Sequence, residues 1–165
     1  MPPKLAPKEH RIARNEMAIK DVPNRVVGLV ATVGLPRNSR LPYHGVLIDQ
    51  KTFDNFERRN ERNPEKKYID YIMNTSLPGQ YVDAHPRRRD SKEFFASRVN
   101  EPAPGETANM IIRYEKHWPV LVSVKKIIAG QELLLHYGSD YDRPYKVGRR
   151  FANPAWLRLE NEWRR

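Results

Sequence analysis

Between residues 25 and 33 the chain reads Arg-Val-Val-Gly-Leu-Val-Ala-Thr-Val, a β-branched run closed by the turn-forming stretch Gly34 to Ser39; this pattern predicts a strand. Tyr43 to Asp49 and Gly79 to Ala84 predict two more. Met110, Ile112 and Tyr114 alternate with their neighbours, as do Val120, Val122 and Val124, so these segments read as a hairpin turning at Glu115-Lys116-His117. In Glu132 to Tyr137, a further strand would set Leu133, Leu135 and Tyr137 on one face. Between Thr52 and Asn74 the period changes. Phe53 and Phe56 fit one helical segment. Asn63 and Pro64 are the cap and first-position residue types of a second, whose stripe would be Tyr68, Ile69, Ile72 and Met73. Asn153 and Pro154 would open a last helix carrying Trp156, Leu159 and Trp163. Many short strands with few helices predict a β-rich α+β domain.

Composition narrows the classes. The 165 residues suffice for one core that needs no staple. The absence of cysteine excludes disulfides, iron–sulfur clusters, thiol catalysis and cysteine-ligated zinc. The five histidines (His10, His44, His85, His117, His136) are far apart, so no metal site is expected. The longest nearly apolar run, Val26 to Leu35, is about half of a bilayer span, and Met1 to Lys20 holds no apolar signal core; no membrane association is expected. Thirty Lys and Arg against twenty Asp and Glu leave a net charge of +10, which favours anionic partners such as nucleic acid. The Arg87-Arg88-Arg89 run reads as a solvated loop in preference to a dedicated patch. The expected organisation is a flexible basic arm over 1–18, a body over 19–142 with a helical insert at 50–78, and a basic helical segment over 143–165. An intracellular protein is expected, nuclear if eukaryotic or viral. Oligomeric state is not set by the sequence.

No phosphate loop, dinucleotide fingerprint, nucleophile elbow or helical zinc motif is present. Four other segments arrive in a particular order. They are Val26-Val27-Gly28-Leu29-Val30-Ala31-Thr32; Tyr43-His44-Gly45; Asp83-Ala84 through Arg98-Val99-Asn100 to Ala108-Asn109; and Gly130-Gln131-Glu132-Leu133-Leu134-Leu135-His136-Tyr137-Gly138, followed by Asp140-Tyr141. Together they resemble the glycine motif, the Y-x-G, the D-A with R-[FY]-[IV]-N-H-S, and the G-E-E-[LI]-x-x-x-Y-G of SET-domain proteins. The chain is similar to compact, stand-alone members without a cysteine-rich module after the domain. The resemblance implies a SET fold whose third and fourth motifs pack in a threaded, pseudoknot-like arrangement.

It also implies transfer of a methyl group from S-adenosyl-L-methionine to a lysine of a protein substrate, histones being common family targets. Carried over by position, Gly28, Leu29, Val30, Arg98, Val99, Asn100, Glu101 and Tyr137 would contact the cofactor. Tyr137 would be the catalytic tyrosine at the inner end of a lysine channel lined by Tyr43, Leu135 and Tyr141. The residue types suit the task. A free lysine has a pKa of about 10.4, so deprotonation at pH 7 costs roughly 4.6 kcal/mol. An apolar channel and a nearby sulfonium both lower that cost. A tyrosine ring walls the channel while its hydroxyl donates or accepts a hydrogen bond.

Each assignment competes with a plainer one: Tyr137, Tyr43 and Tyr141 as core or packing residues, Asn100 as a loop residue satisfying backbone groups, Gly28 as the mark of a bulge. The sequence also departs from the family pattern. Val26 occupies the first glycine position, and Glu101-Pro102 replaces His-Ser, with Ala103 to Thr107 lengthening the step to Asn109. A carboxylate at 101 could pair with a cation or oppose closure of the loop. Three functions therefore compete: a protein-lysine methyltransferase, a catalytically impaired SET-like module that binds peptides or proteins, and a basic nucleic-acid-binding protein. Under the first, the basic segments 85–92 and 142–165 are expected to lie away from the peptide groove, where they could make auxiliary nucleic-acid contacts.

Overall fold

The computed structural model describes residues 10–23, 25–66, 69–85, 95–138 and 146–150. Three small antiparallel sheets make up most of it. β1 (Met17–Val22) pairs with β2 (Arg25–Ala31); β3 (Arg40–Pro42), β8 (Trp118–Ser123) and β7 (Met110–Glu115) form a second sheet in that order; β4 (Val46–Asp49), β6 (Gln80–Asp83) and β5 (Ile72–Asn74) form the third. Among the described residues there is one α-helix, α1 (Gln50–Arg62), which follows β4, and short 3-10 turns lie at Arg14–Glu16, Pro64–Lys66 and Ala96–Arg98. The β-rich α+β class read from the pattern is the one observed.

β2, β4, β6 and the β7–β8 hairpin fall within segments whose pattern predicts strands. The hairpin turns through Lys116 and His117 at positive φ. Both of its faces are covered: Met110, Ile112 and Leu121 enter the main core, while Ile111, Val120, Val122 and Val124 form a separate apolar cluster. A strand with both faces buried gains from every apolar position, about 1.5–3 kcal/mol for each fully buried aliphatic side chain.

Three expectations need correction. The ordered body starts before Ile19, because Ile12 and Met17 are core residues and β1 begins at Met17. A 63–73 helix does not form. Asn63 is the C-cap of α1, its N–H bonding the Arg59 carbonyl at 2.9 Å; Pro64 opens only a 3-10 turn, and Ile72 and Met73 pair with Asp83 and Val82 as strand β5. The bulge in the first hairpin lies at Val26 and not at Gly28. Asp21 and Val22 face Val27 and Arg25, leaving Val26 as the extra residue, whereas Gly28 pairs regularly with Lys20. An expected glycine position thus becomes a bulge within a strand.

α1 buries none of its residues fully and is held at its start. Asp49 caps it by accepting the Thr52 N–H at 2.9 Å, and its hydrogen bonds to the Thr52 side chain and then to this N–H hold the Asp49 carboxyl below its usual pKa. Phe53 stacks on Tyr81 of β6 with centroids 4.3 Å apart, and the Tyr81 hydroxyl donates to Gln50 at 2.7 Å. The helix therefore stands against the third sheet, beside the cleft described next. The last predicted helix, with Trp156, Leu159 and Trp163, and the Arg87-Arg88-Arg89 run lie outside the described residues.

Candidate active site

Residues 131–137 do not form a regular strand. They are inserted between two other parts of the chain. On one side Leu134 bridges Asn100, and the Leu135 N–H donates to the Asn100 carbonyl at 2.9 Å; on the other, Leu135 bridges Met110, and the Leu134 carbonyl accepts the N–H groups of Asn109 and Met110 at 3.0 Å each. Earlier in the segment, the Leu133 N–H donates to the Leu29 carbonyl at 2.8 Å, which sews it to β2. Asn109, 5% exposed, clamps the insertion with its side chain: Oδ1 accepts the Leu134 N–H at 2.8 Å and Nδ2 donates to the Glu132 carbonyl at 2.9 Å. Leu133, Leu134 and Leu135 are all buried as a result.

Threading delivers Tyr137 to the wall of a cleft of about 820 Å³. Its hydroxyl donates to the Val99 carbonyl at 2.6 Å, and its backbone N–H donates to Glu101 Oε2 at 2.8 Å. Tyr43, Val99, Leu135, Ala96 and Ile112 give the same cleft an apolar floor. The Tyr43 ring is almost wholly buried, and its hydroxyl donates to the Tyr71 carbonyl at 2.9 Å. Polar groups also line the cleft: Asn60 from the end of α1, Asn74, Thr75 and Ser76 from β5 and the turn after it, and Ser97 from the 3-10 turn, beside the apolar Phe53, Ile72 and Met73. The Oδ1 atom of Asn60 is buried with no hydrogen-bond partner among the described residues. The lining holds one carboxylate, Asp70, and one guanidinium, Arg150.

Of the sequence-predicted site residues, the structure gathers Tyr43, Val99, Leu135 and Tyr137 around this cleft. Tyr141 lies outside the described residues. Gly28, Leu29, Val30, Arg98, Asn100 and Glu101 do not line it. Leu29 and Val30 are core residues whose backbone is shared between β1 and the inserted segment. Arg98 closes the 3-10 turn that leads to Val99. Asn100 spends both amide hydrogens within the chain, donating to the Val27 carbonyl at 2.7 Å and to Glu132 Oε1 at 2.9 Å. The plainer reading of Asn100, a residue that satisfies backbone groups, matches this geometry.

Around Gly28 lies an ion network that spacing does not reveal. Arg25 pairs with Glu132 at 2.5 Å and with Glu106 at 2.8 Å. Burial by itself would lower the pKa of the guanidinium, but its hydrogen bonds to Glu106 and Glu132 outweigh that and raise it. The bond to Arg25 in turn holds the Glu106 carboxyl below its usual value, against partial desolvation. A β-carbon on Gly28 would collide with Oε1 of Glu132, so glycine is required here by the carboxylate across from it.

The lengthened step Ala103 to Thr107 also has a visible use. Gly148 donates to the Pro102 carbonyl at 2.7 Å, Arg149 donates to the Glu106 carbonyl at 2.9 Å, and Ala108 donates to the Arg149 carbonyl at 2.8 Å. A β-carbon at Gly148 would strike the carbonyl oxygens of Ala103 and Glu106. Docking of 146–150 on this loop brings Arg150 to the cleft, which corrects the expectation that the basic segment after residue 142 stays clear of it.

Asn60, Ser97 and the Asn74 to Ser76 wall had no signal in the sequence, since short polar residues in turns look alike whichever way they face. Among the described residues, no group of three or more histidine, aspartate or glutamate side chains could hold a metal ion, and no helix is long and apolar enough to cross a membrane.

No protein-family model matches the chain, and no curated protein does. Among solved structures it is similar to the methyltransferase domain of human PR domain-containing protein 2, with 18% identity over 78% of this chain and 81% of that one, and a TM-score of 0.52. At that identity the likeness speaks to architecture: the chain has a SET-like fold, in which the third and fourth motifs are threaded together.

Proposed function

We propose that this chain is an S-adenosylmethionine-dependent methyltransferase acting on the side-chain amine of lysine in a protein substrate. The observation that carries the reading is Tyr137. It is delivered by a threaded segment to a cleft with an apolar floor, and its hydroxyl hydrogen is committed to the Val99 carbonyl.

The cleft is of a size for the cofactor, since ligand sites usually enclose about 300–1,000 Å³. The buried, unpartnered Asn60 carbonyl oxygen supports the fit, because it offers an acceptor to the amino groups such a molecule carries. Val99, Ser97, Asn60 and Tyr137 would hold it. Gly28, Leu29, Val30, Arg98, Asn100 and Glu101 would act by shaping the wall behind. When bound, S-adenosylmethionine supplies an electrophilic methyl group on a positively charged sulfur.

The chain's own contribution is positional and electrostatic. Tyr43, Leu135 and Ile112 provide an apolar lining that disfavours a lysine ammonium and so frees the neutral amine. With its proton held by Val99, the Tyr137 hydroxyl turns its oxygen lone pairs toward the cleft as an acceptor for polarised hydrogens. Alignment in a walled site is worth several kcal/mol, so no strong base is needed at the amine. One acidic and one basic residue in the lining, Asp70 and Arg150, favour a lysine in a sequence of balanced charge over a densely basic tail such as that of a histone. Basic surfaces away from the cleft would supply any auxiliary nucleic-acid contact, and nuclear residence would follow only from such partners.

The test is incubation with labelled S-adenosylmethionine and a peptide array that includes core histones, alongside Tyr137→Phe. Label on lysine in the wild type, lowered on the order of 100-fold in the variant, is the expected result. Cofactor binding without transfer would leave a SET-like binding module in place of the enzyme. Absence of both would overturn the proposal.

A further inference from the structure

Glu101 stands where the family pattern has a histidine, and the substitution is the chief sequence argument against turnover. Its side chain does not oppose the loop. Glu101 is 5% exposed, and its Oε2 accepts the Tyr137 N–H at 2.8 Å. Its neighbours take adjoining groups: the Asn100 carbonyl binds the Leu135 N–H and the Val99 carbonyl binds the Tyr137 hydroxyl. Three consecutive residues thus fix the register, the backbone and the ring of the tyrosine.

The contact falls where the chain is about to turn. His136 Nδ1 accepts the Gly138 N–H at 3.0 Å, and Gly138 has φ of +101°. Leu135 is anchored by backbone to backbone, whereas Tyr137 is anchored by a side chain. A carboxyl group is suited to this, because it always presents an acceptor oxygen to the N–H. A histidine could accept there only in the neutral form, with the right tautomer.

We infer that Glu101 is a positioning residue for Tyr137, replacing the family's imidazole with a buried carboxylate that locks the tyrosine backbone at the cleft wall. The inference rests on reading Tyr137 as the channel tyrosine. A misplacement near 1 Å can cost about 100-fold in rate, so the expected effect is larger on kcat than on affinity.

Three variants test it, Glu101→Ala, Glu101→Gln and Glu101→His, with methyl transfer kinetics, cofactor affinity and hydrogen exchange at the Tyr137 amide. Glu101→Ala should lower kcat on the order of 10- to 100-fold, by more than it changes KM or cofactor Kd, and should speed exchange of the Tyr137 amide. Glu101→Gln, which keeps an acceptor, should restore most of the rate and the protection. Glu101→His should not exceed the wild type. Unchanged kcat in Glu101→Ala, a loss carried by KM, or a gain in Glu101→His would overturn the inference. If the alanine variant does not fold, slowed turnover in Glu101→Gln with full amide protection would also overturn it. A wild type that transfers nothing would sink the enzymatic reading alone, and amide exchange would then decide whether Glu101 fixes Tyr137.

Discussion

Asn109 is the residue on which the threaded segment is most exposed to a single change. Replacing it by alanine removes the partners of the buried Leu134 N–H and of the part-buried Glu132 carbonyl. A buried polar group left without a partner costs about 1–3 kcal/mol. Taking values near the lower half for each, Asn109→Ala should destabilise by about 3 kcal/mol, a shift of roughly 6–12 °C in Tm for a chain of this length. Asn109→Asp sharpens the test because it changes no volume. At neutral pH the carboxylate still accepts from Leu134 but faces the Glu132 carbonyl with no hydrogen to give. Protonation restores a donor, so the carboxyl of this variant has a raised pKa in the folded state. Its contribution is then fully present below the unfolded value of about 3.9 and is lost as pH rises through the folded value. Urea titrations of wild type and both variants between acid and neutral pH read this as a change in midpoint at constant m. A loss below about 1 kcal/mol in Asn109→Ala, or an aspartate variant whose deficit does not shrink in acid, would refute the clamp.

Gly28→Ala should cost about 1–3 kcal/mol by displacing Glu132, and far less in a Glu132→Ala background; equal losses in both would show the collision is not with that carboxylate. Gly148→Ala should release residues 146–150 and speed tryptic cleavage at Lys146, Arg149 and Arg150; unchanged cleavage would show the close approach to Ala103 and Glu106 is relieved without undocking. The depressed Glu106 carboxyl binds fewer protons folded than unfolded, so its stabilisation is present above the ordinary value of 4.5 and is lost as pH falls through the lower folded value. Glu106→Gln should therefore flatten part of the acid limb of a stability–pH curve; an unchanged limb would dismiss the pair with Arg25.

Much of the fold was legible where local pattern and tertiary environment agree. β2 and the β7–β8 hairpin carry β-branched or alternating residues that suit a pleated, buried strand, and both formed. The 63–73 segment shows the opposite case. Ile72 and Met73 have helical spacing to Tyr68 and Ile69, but pairing with Val82 and Asp83 outweighed it. Val26 hid its bulge because a lone extra residue leaves no periodic trace. At the site, Tyr137 and Leu135 were readable from a motif, and both line the cleft with Val99. The Arg25–Glu132 pair was not, because it joins positions 107 apart in the chain. Glu101 was visible only as a departure; its role depends on a backbone N–H that no sequence pattern reports.

The insertion of 131–137 between Asn100 and Met110 also has a consequence for how the chain comes to be folded. Leu29 and Ala31 on β2 bond to Leu133 and Gln131, a hundred or more positions later. Until that late segment is in place, the inner edge of an early strand stays unpaired. Contacts so distant along the chain carry a large loop-closure cost before they return any stabilisation, which slows folding. The β2 edge therefore depends on a segment that is synthesised late. Leu133 and Leu135 belong to the core and Leu135 and Tyr137 to the cleft, so the same few residues complete both.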